Sequence, residues 1–159
     1  MQDAPALRGA TVLVVEDNQS VLEATSYLIE AGFGCKVLTA SSCVEALALI
    51  DEGSKVDLIF SDVVLRGKDG LALARMACER VPGLPVVLAT GWQDEIESII
   101  ERGYVALLKP YSVEQLEAVF TELLSKSTVT ASPAPPGRDA LPMPLHAAVG
   151  KKRWHASDK

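Results

Sequence analysis

The sequence is short of the residues that zinc centres, disulfide frameworks and membrane spans require. It holds two histidines and three cysteines in 159 residues. Cys35, Cys43 and Cys78 are odd in number and have neither CxxC nor zinc-ligand spacing, so they are expected as small core thiols in a reducing compartment. No apolar run approaches the roughly 20 residues that cross a bilayer. The opening MQDAPALRGA has no basic start and no long apolar stretch. A secretory signal and a membrane anchor are therefore not expected, and the expected location is cytoplasmic. Positive charge is also scarce in the body. Residues 1–127 hold 10 Lys+Arg against 19 Asp+Glu, a net of −9, while residues 128–159 carry a net of +3. Such a body is a poor surface for nucleic acid, whose phosphates need cationic partners. It suits a basic protein surface or a divalent cation.

What is present is a regular alternation. The 48% apolar and 23% charged fractions are those of a globular domain, and the length covers one domain with residues to spare. TVLVV (11–15) is a β-branched run that stops at Glu16-Asp17. The next segment places Val21, Thr25, Leu28 and Ile29 on one helical face, with Gly32 as its stop. CKVLTA (35–40) reads as a strand, and Ser42 with Glu45 forms a capping box for a helix whose apolar face is Val44, Leu47 and Ala48. DLIFS (57–61), PVVLAT (85–90) and VALL (105–108) are three further strands. GLALARMACER (70–80) and DEIESIIERG are helices, and the last helix buries Val113, Leu116, Val119, Phe120 and Leu123.

Five short strands, each followed by a helix, predict an α/β, flavodoxin-like (βα)5 fold: a doubly wound five-stranded parallel sheet covered on both faces. From residue 128 the pattern ends, and five of the nine prolines fall in the remaining segment. That segment, 128–159, is expected to be a disordered tail, too short and proline-rich for an output module. Its GKKRWH stretch is either a solvated end or a docking motif around Trp154.

In open parallel sheets ligands bind outside the carboxyl ends of the strands. Here those ends carry Glu16-Asp17, Asp62, Thr90-Gly91 and Lys109-Pro110. Taken singly, each has a plain structural role, since an aspartate after a strand is usually a turn or cap residue. Together they bring three carboxylates, a hydroxyl and an ammonium to one rim. Three carboxylates raise one another's pKa, and a hard cation such as Mg²⁺ relieves the repulsion. Asp62 then reads as a carboxylate nucleophile, with Thr90 and Lys109 to receive an anion.

VLVVEDN, IFSDVVLRGKDG, VVLATGW and LLKPYS, in this order, resemble the response-regulator receiver (CheY-like) family over roughly residues 9–127. The resemblance implies that Asp62 accepts a phosphoryl group from a phosphohistidine on a sensor histidine kinase or a histidine phosphotransfer protein. It implies Mg²⁺ held by Glu16, Asp17, Asp62 and the backbone carbonyl of Val64, with Thr90 and Lys109 on the phosphoryl oxygens. It also implies a cis bond before Pro110, and a module that is not a turnover enzyme on external substrates. Output then passes by contact with a downstream protein or by onward relay. Homodimerisation through the fourth helix, fifth strand and fifth helix is known in the family and stays open here.

Two departures stand out. Arg66 replaces the usual proline four residues after the acceptor, and Ala106 replaces the switch aromatic, leaving Tyr104 and Trp92 as candidate substitutes. Val64 and Trp92 flank the line of water attack without an acid or amide, which predicts slow loss of the phosphoryl group. Two rival functions remain: an aspartyl-nucleophile phosphatase, disfavoured because Val64 stands where such enzymes carry a second aspartate, and a phosphate-independent interaction module of the same fold.

Overall fold

The computed structural model describes residues 7–65 and 68–130, without the side chains of residue 68 and of residues 126–130. Arg66 and the tail beyond residue 130 lie outside the described residues.

Five strands form one parallel sheet: β1 (Thr11–Val15), β2 (Lys36–Ala40), β3 (Leu58–Asp62), β6 (Val86–Thr90) and β7 (Val105–Leu108). Their order is β2-β1-β3-β6-β7, with all neighbours parallel. The expected five-stranded doubly wound sheet is therefore present. Two short antiparallel strands, β4 (Val64–Leu65) and β5 (Lys68–Asp69), add a small hairpin after β3. Two-residue strands carry no readable period, so sequence patterning had nothing to detect there.

Helices cover both faces. Along β1, Val12 and Val14 join one core with Leu22, Ile29, Leu116, Val119 and Phe120. Leu13 and Val15 join the opposite core with Ala46, Leu73, Ile96 and Ile99. The alternation follows from the two-residue period of a strand. Thus α1 (Gln19–Tyr27) and α5 (Val113–Thr130) pack on one side, while α2 (Cys43–Asp51), α3 (Gly70–Arg80) and α4 (Gln93–Glu101) pack on the other. On the α5 side, Phe120 meets Phe33 and Phe60 edge to face, and Phe60 meets Tyr111 the same way, at centroid distances of 5.8, 5.6 and 5.8 Å. Fully burying each phenylalanine contributes on the order of 1.5–3 kcal/mol.

Helix starts are fixed by side chains. Asn18 caps α1 by accepting the Val21 N–H, and Asp69 caps α3 by accepting from Leu71. Ser42 caps α2 by accepting from Glu45, as the sequence predicts. Glu45 returns its carboxylate to the N–H and hydroxyl of Ser41, and the backbone bond above all holds its carboxyl below the ordinary range. Ahead of α5 the exchange is reciprocal within one pair: the Ser112 N–H donates to Gln115 Oε1, and the Gln115 N–H donates to Ser112 Oγ.

Several helix faces differ from expectation. On α1 the buried residue is Leu22, and Val21 is exposed because it borders the rim rather than the core. On α2 the buried set is Cys43, Ala46 and Ile50, with Val44 exposed. On α5 Val113 is exposed and Leu124 is buried. The first helix runs on through a π-helical turn at Leu28–Gly32, and the residue at positive φ is Gly34 rather than Gly32. A π turn shifts the face by a fraction of a turn, which a 3.6-residue period does not anticipate. The three cysteines are thiols, with Cys35 and Cys43 buried.

Candidate functional site

The parallel register brings the strand ends level. Val15 stands beside Ser61, Asp62 beside Ala89, and Thr90 beside Leu108. The residues that follow or end the strands therefore gather at one edge of the sheet. At the end of β3, Val63 donates to the Ala89 carbonyl at 3.0 Å, and Gly70 donates to the Val63 carbonyl at 2.6 Å. A side chain at Gly70 would collide with the Asp62 carbonyl and stand 2.8 Å from Val63 Cα. That glycine is required so that the backbone at the start of α3 can close onto the end of β3, a role that sequence alone does not reveal.

Asp62 is the centre of the rim. Its side chain is 14% exposed, and Lys109 Nζ lies 3.1 Å from both carboxylate oxygens. Lys109 is held in turn by its N–H on the Thr90 carbonyl at 2.8 Å, and the Lys109–Pro110 bond is cis as the resemblance implied. Glu16 stands half-buried at the end of β1, with the Asn18 N–H donating to Oε2 at 3.1 Å. Burial pushes the Glu16 carboxyl up; the Asn18 bond opposes this, and the charges of Asp62 and Asp17 add to the rise. Glu16 thus feels the charges of its two acidic neighbours.

Among the described residues, no group of three or more His, Cys, Asp or Glu side chains is gathered closely enough to hold a metal ion by itself. In this arrangement the Asp62 carboxylate is turned onto Lys109 instead. The donor chemistry nevertheless fits a hard cation: oxygen atoms only, several of them anionic, beside open space for retained water. A pocket of about 30 Å³ opens there, lined by Glu16, Val21, Thr25, Asp62, Lys109 and Tyr111, with room for a water molecule. Tyr111 is its far wall, hydrogen-bonded to Thr25 and leaning on Phe60, and burial raises its hydroxyl pKa. No sequence pattern marks Tyr111, which follows Pro110 ahead of α5.

Thr90 ends β6 and is buried. Its hydroxyl donates to Glu95 Oε1 and accepts the Trp92 N–H at 3.1 Å. Glu95 is a further residue that no sequence signal marked, since an acid in the first turn of a helix is ordinary. Trp92 is 66% exposed and Val64 62% exposed, so the two apolar side chains flank the rim on its solvent side. Ala106 lies in the core below α4, and Tyr104 packs partly buried against the same core.

Comparison with known proteins agrees with this fold. Residues 12–121 match the family described as the response regulator receiver domain. The sensor kinase CckA of Brucella abortus is 32% identical over 123 residues, covering 74% of this chain and 13% of that protein. The transcriptional regulatory protein AruR of Pseudomonas aeruginosa is 33% identical over 138 residues, covering 82% of this chain and 55% of that protein. The crystal structure of the receiver domain from hybrid histidine kinase CckA superposes with a TM-score of 0.61 at 30% identity, covering 72% of this chain and 99% of that one. The chain therefore spans between about an eighth and about half of these two curated relatives.

Proposed function

Since the chain belongs to the response-regulator receiver domain family of two-component signalling, we propose that Asp62 is its phosphoacceptor and that residues 9–127 act as the receiver. As a member of that family it is not a turnover enzyme on external substrates. The observation that carries the assignment is the Lys109 ammonium on both oxygens of a largely buried Asp62, in a pocket that Glu16 also lines.

In the reaction an Asp62 oxygen attacks the phosphorus of a phosphohistidine. The P–N bond breaks, its electron pair stays on the imidazole nitrogen, which takes up a proton, and an acyl phosphate remains on Asp62. Lys109 moves from the carboxylate to a phosphoryl oxygen, a short shift because its backbone stays tied to Thr90. Thr90 turns its hydroxyl to a second oxygen. Glu16, Asp17, Asp62 and the Val64 carbonyl would hold Mg²⁺, which would supply neutralisation of the transferring charge. The donor is a sensor histidine kinase or a histidine phosphotransfer protein, the setting is cytoplasmic, and the signal passes on by protein contact. Among the described residues no helix is long and apolar enough to cross a membrane.

The flanks favour a long-lived acyl phosphate. Val64 and Trp92 are open to solvent, and neither carries a group that orients a water molecule along the line of attack. Val64→Asn is expected to shorten the lifetime.

The test is intact-protein mass after incubation with a small phosphodonor, with and without Mg²⁺. A single phosphoryl adduct that needs the metal and is absent in Asp62→Ala supports the reading. If neither the small donor nor a phosphohistidine donor gives an adduct, the chain is a phosphate-independent interaction module of the receiver fold.

A further inference from the structure

A threonine hydroxyl carries one proton. Here Thr90 gives it to Glu95 Oε1, while its oxygen receives the Trp92 N–H at 3.1 Å. The hydroxyl that is to meet the phosphoryl group is therefore already committed. It cannot donate to both acceptors at once. Glu95 sits in the first turn of α4, its own N–H on the Trp92 carbonyl at 3.0 Å, and Trp92 supplies no side-chain cap to that helix. The Thr90 hydroxyl is thus the side-chain group that fastens the start of α4 to the end of β6.

We propose that Glu95 is a positioning residue that holds the Thr90 hydroxyl in reserve, and that phosphorylation of Asp62 transfers this hydrogen bond from Glu95 to a phosphoryl oxygen and so releases the first turn of α4. The inference rests on the acceptor role of Asp62. No covalent bond changes in the exchange: the proton stays on Thr90 Oγ1 and only its acceptor differs. The acyl phosphate carries about −1.5 to −2 charges where the Asp62 carboxylate carried one, and the added negative charge repels the Glu95 carboxylate and favours its departure. Ala106 offers only a methyl group below α4, so no ring moves into the vacated space, and the signal leaves through Glu95 and the exposed Trp92.

Glu95 then acts as a brake on phosphoryl uptake. Losing a hydrogen bond to a charged acceptor in the resting state is expected to speed adduct formation on the order of fivefold in Glu95→Ala. Glu95→Gln keeps an acceptor oxygen without the charge and is expected to fall between the two. The decisive readout is the double variant: in a Thr90→Val background, where no hydroxyl remains to be released, Glu95→Ala is expected to keep only the smaller acceleration that loss of its charge gives. A second readout is the fluorescence of Trp92, measured with Trp154→Phe. The wild-type signal shifts on phosphorylation, and unphosphorylated Glu95→Ala already shows part of that shift.

Uptake by Glu95→Ala within twofold of wild type overturns the inference. So does equal acceleration with and without the Thr90 hydroxyl, which would mean that only the charge of Glu95 matters. A wild type that takes up phosphate normally separates these failures from failure of the acceptor assignment. A wild type that takes up none removes both.

Discussion

Strand β3 has an aspartate at each end, and the two are handled differently. Asp57, just before the strand, exchanges bonds with Thr11: its side chain accepts the Thr11 N–H at 2.8 Å, and its own N–H donates to the Thr11 carbonyl at 2.8 Å. Lys55 stands beside it at 3.5 Å, but the Lys55 side chain is 73% exposed. Asp62 has no such backbone tether on its carboxylate in the hydrogen bonds described; Lys109 spans both its oxygens. A carboxylate held by backbone is fixed for structure. A carboxylate held by one long, movable cation is ready to be given another partner. Residue type and strand are the same, and the satisfying group decides which is chemical.

The sharpest way to break this comparison is to remove each lysine. Lys109→Met is expected to slow adduct formation by about a hundredfold to a thousandfold, as loss of one charge-stabilising donor does elsewhere. Lys55→Met is expected to leave the rate unchanged, because its ion pair is exposed and weak. Equal effects in the phosphodonor assay would erase the distinction between the two ends.

Next comes the hairpin under Asp62. Gly70→Ala forces a methyl group against the Asp62 and Val63 backbone, which cannot yield as a flexible side chain does. A loss of about 3 kcal/mol in urea unfolding is expected, at the upper end of overpacking costs, together with slower phosphoryl uptake. A smaller effect belongs to the other end: Asp57→Ala leaves the Thr11 N–H without its side-chain acceptor and is expected to cost about 1–2 kcal/mol. Its adduct forms at the wild-type rate, which separates stability from chemistry.

The smallest effect concerns Cys35, whose thiol donates to the Leu7 carbonyl at 3.3 Å. Burial, with a contribution from the Asp57 charge, pushes its pKa to about 11 from an ordinary 9.0. The folded state keeps the proton where the unfolded chain releases it, so stability falls as pH rises above 9 and stops falling, for this group, near 11. Cys35→Ala is expected to show a shallower decline of the urea midpoint over that range.

The sheet was legible because its strands are buried on both faces. All five residues of β1 and of β6 are buried, and a continuous β-branched run reports that directly. The rim is partly legible for a related reason: parallel register carries strand ends to one side, where Glu16, Asp62 and Lys109 line one pocket. The helix faces were less legible. Val21 and Val113 are apolar residues at plausible helical spacing that face solvent, and hydrophobic type alone does not separate core from rim. Glu95 and Gly70 were invisible because their roles depend on an atom across the chain fold, the Thr90 hydroxyl in one case and the Asp62 carbonyl in the other.

The edge-on rings of Phe33, Phe120, Phe60 and Tyr111 run from the α1 side of the core to the wall of the pocket beside Asp62. In each pair one ring sets its edge protons toward the other's π face, where the induced current shields them. Their resonances are displaced upfield in a proton spectrum, and the displacement reads the seating of α5 and of Tyr111 without any label attached to the protein.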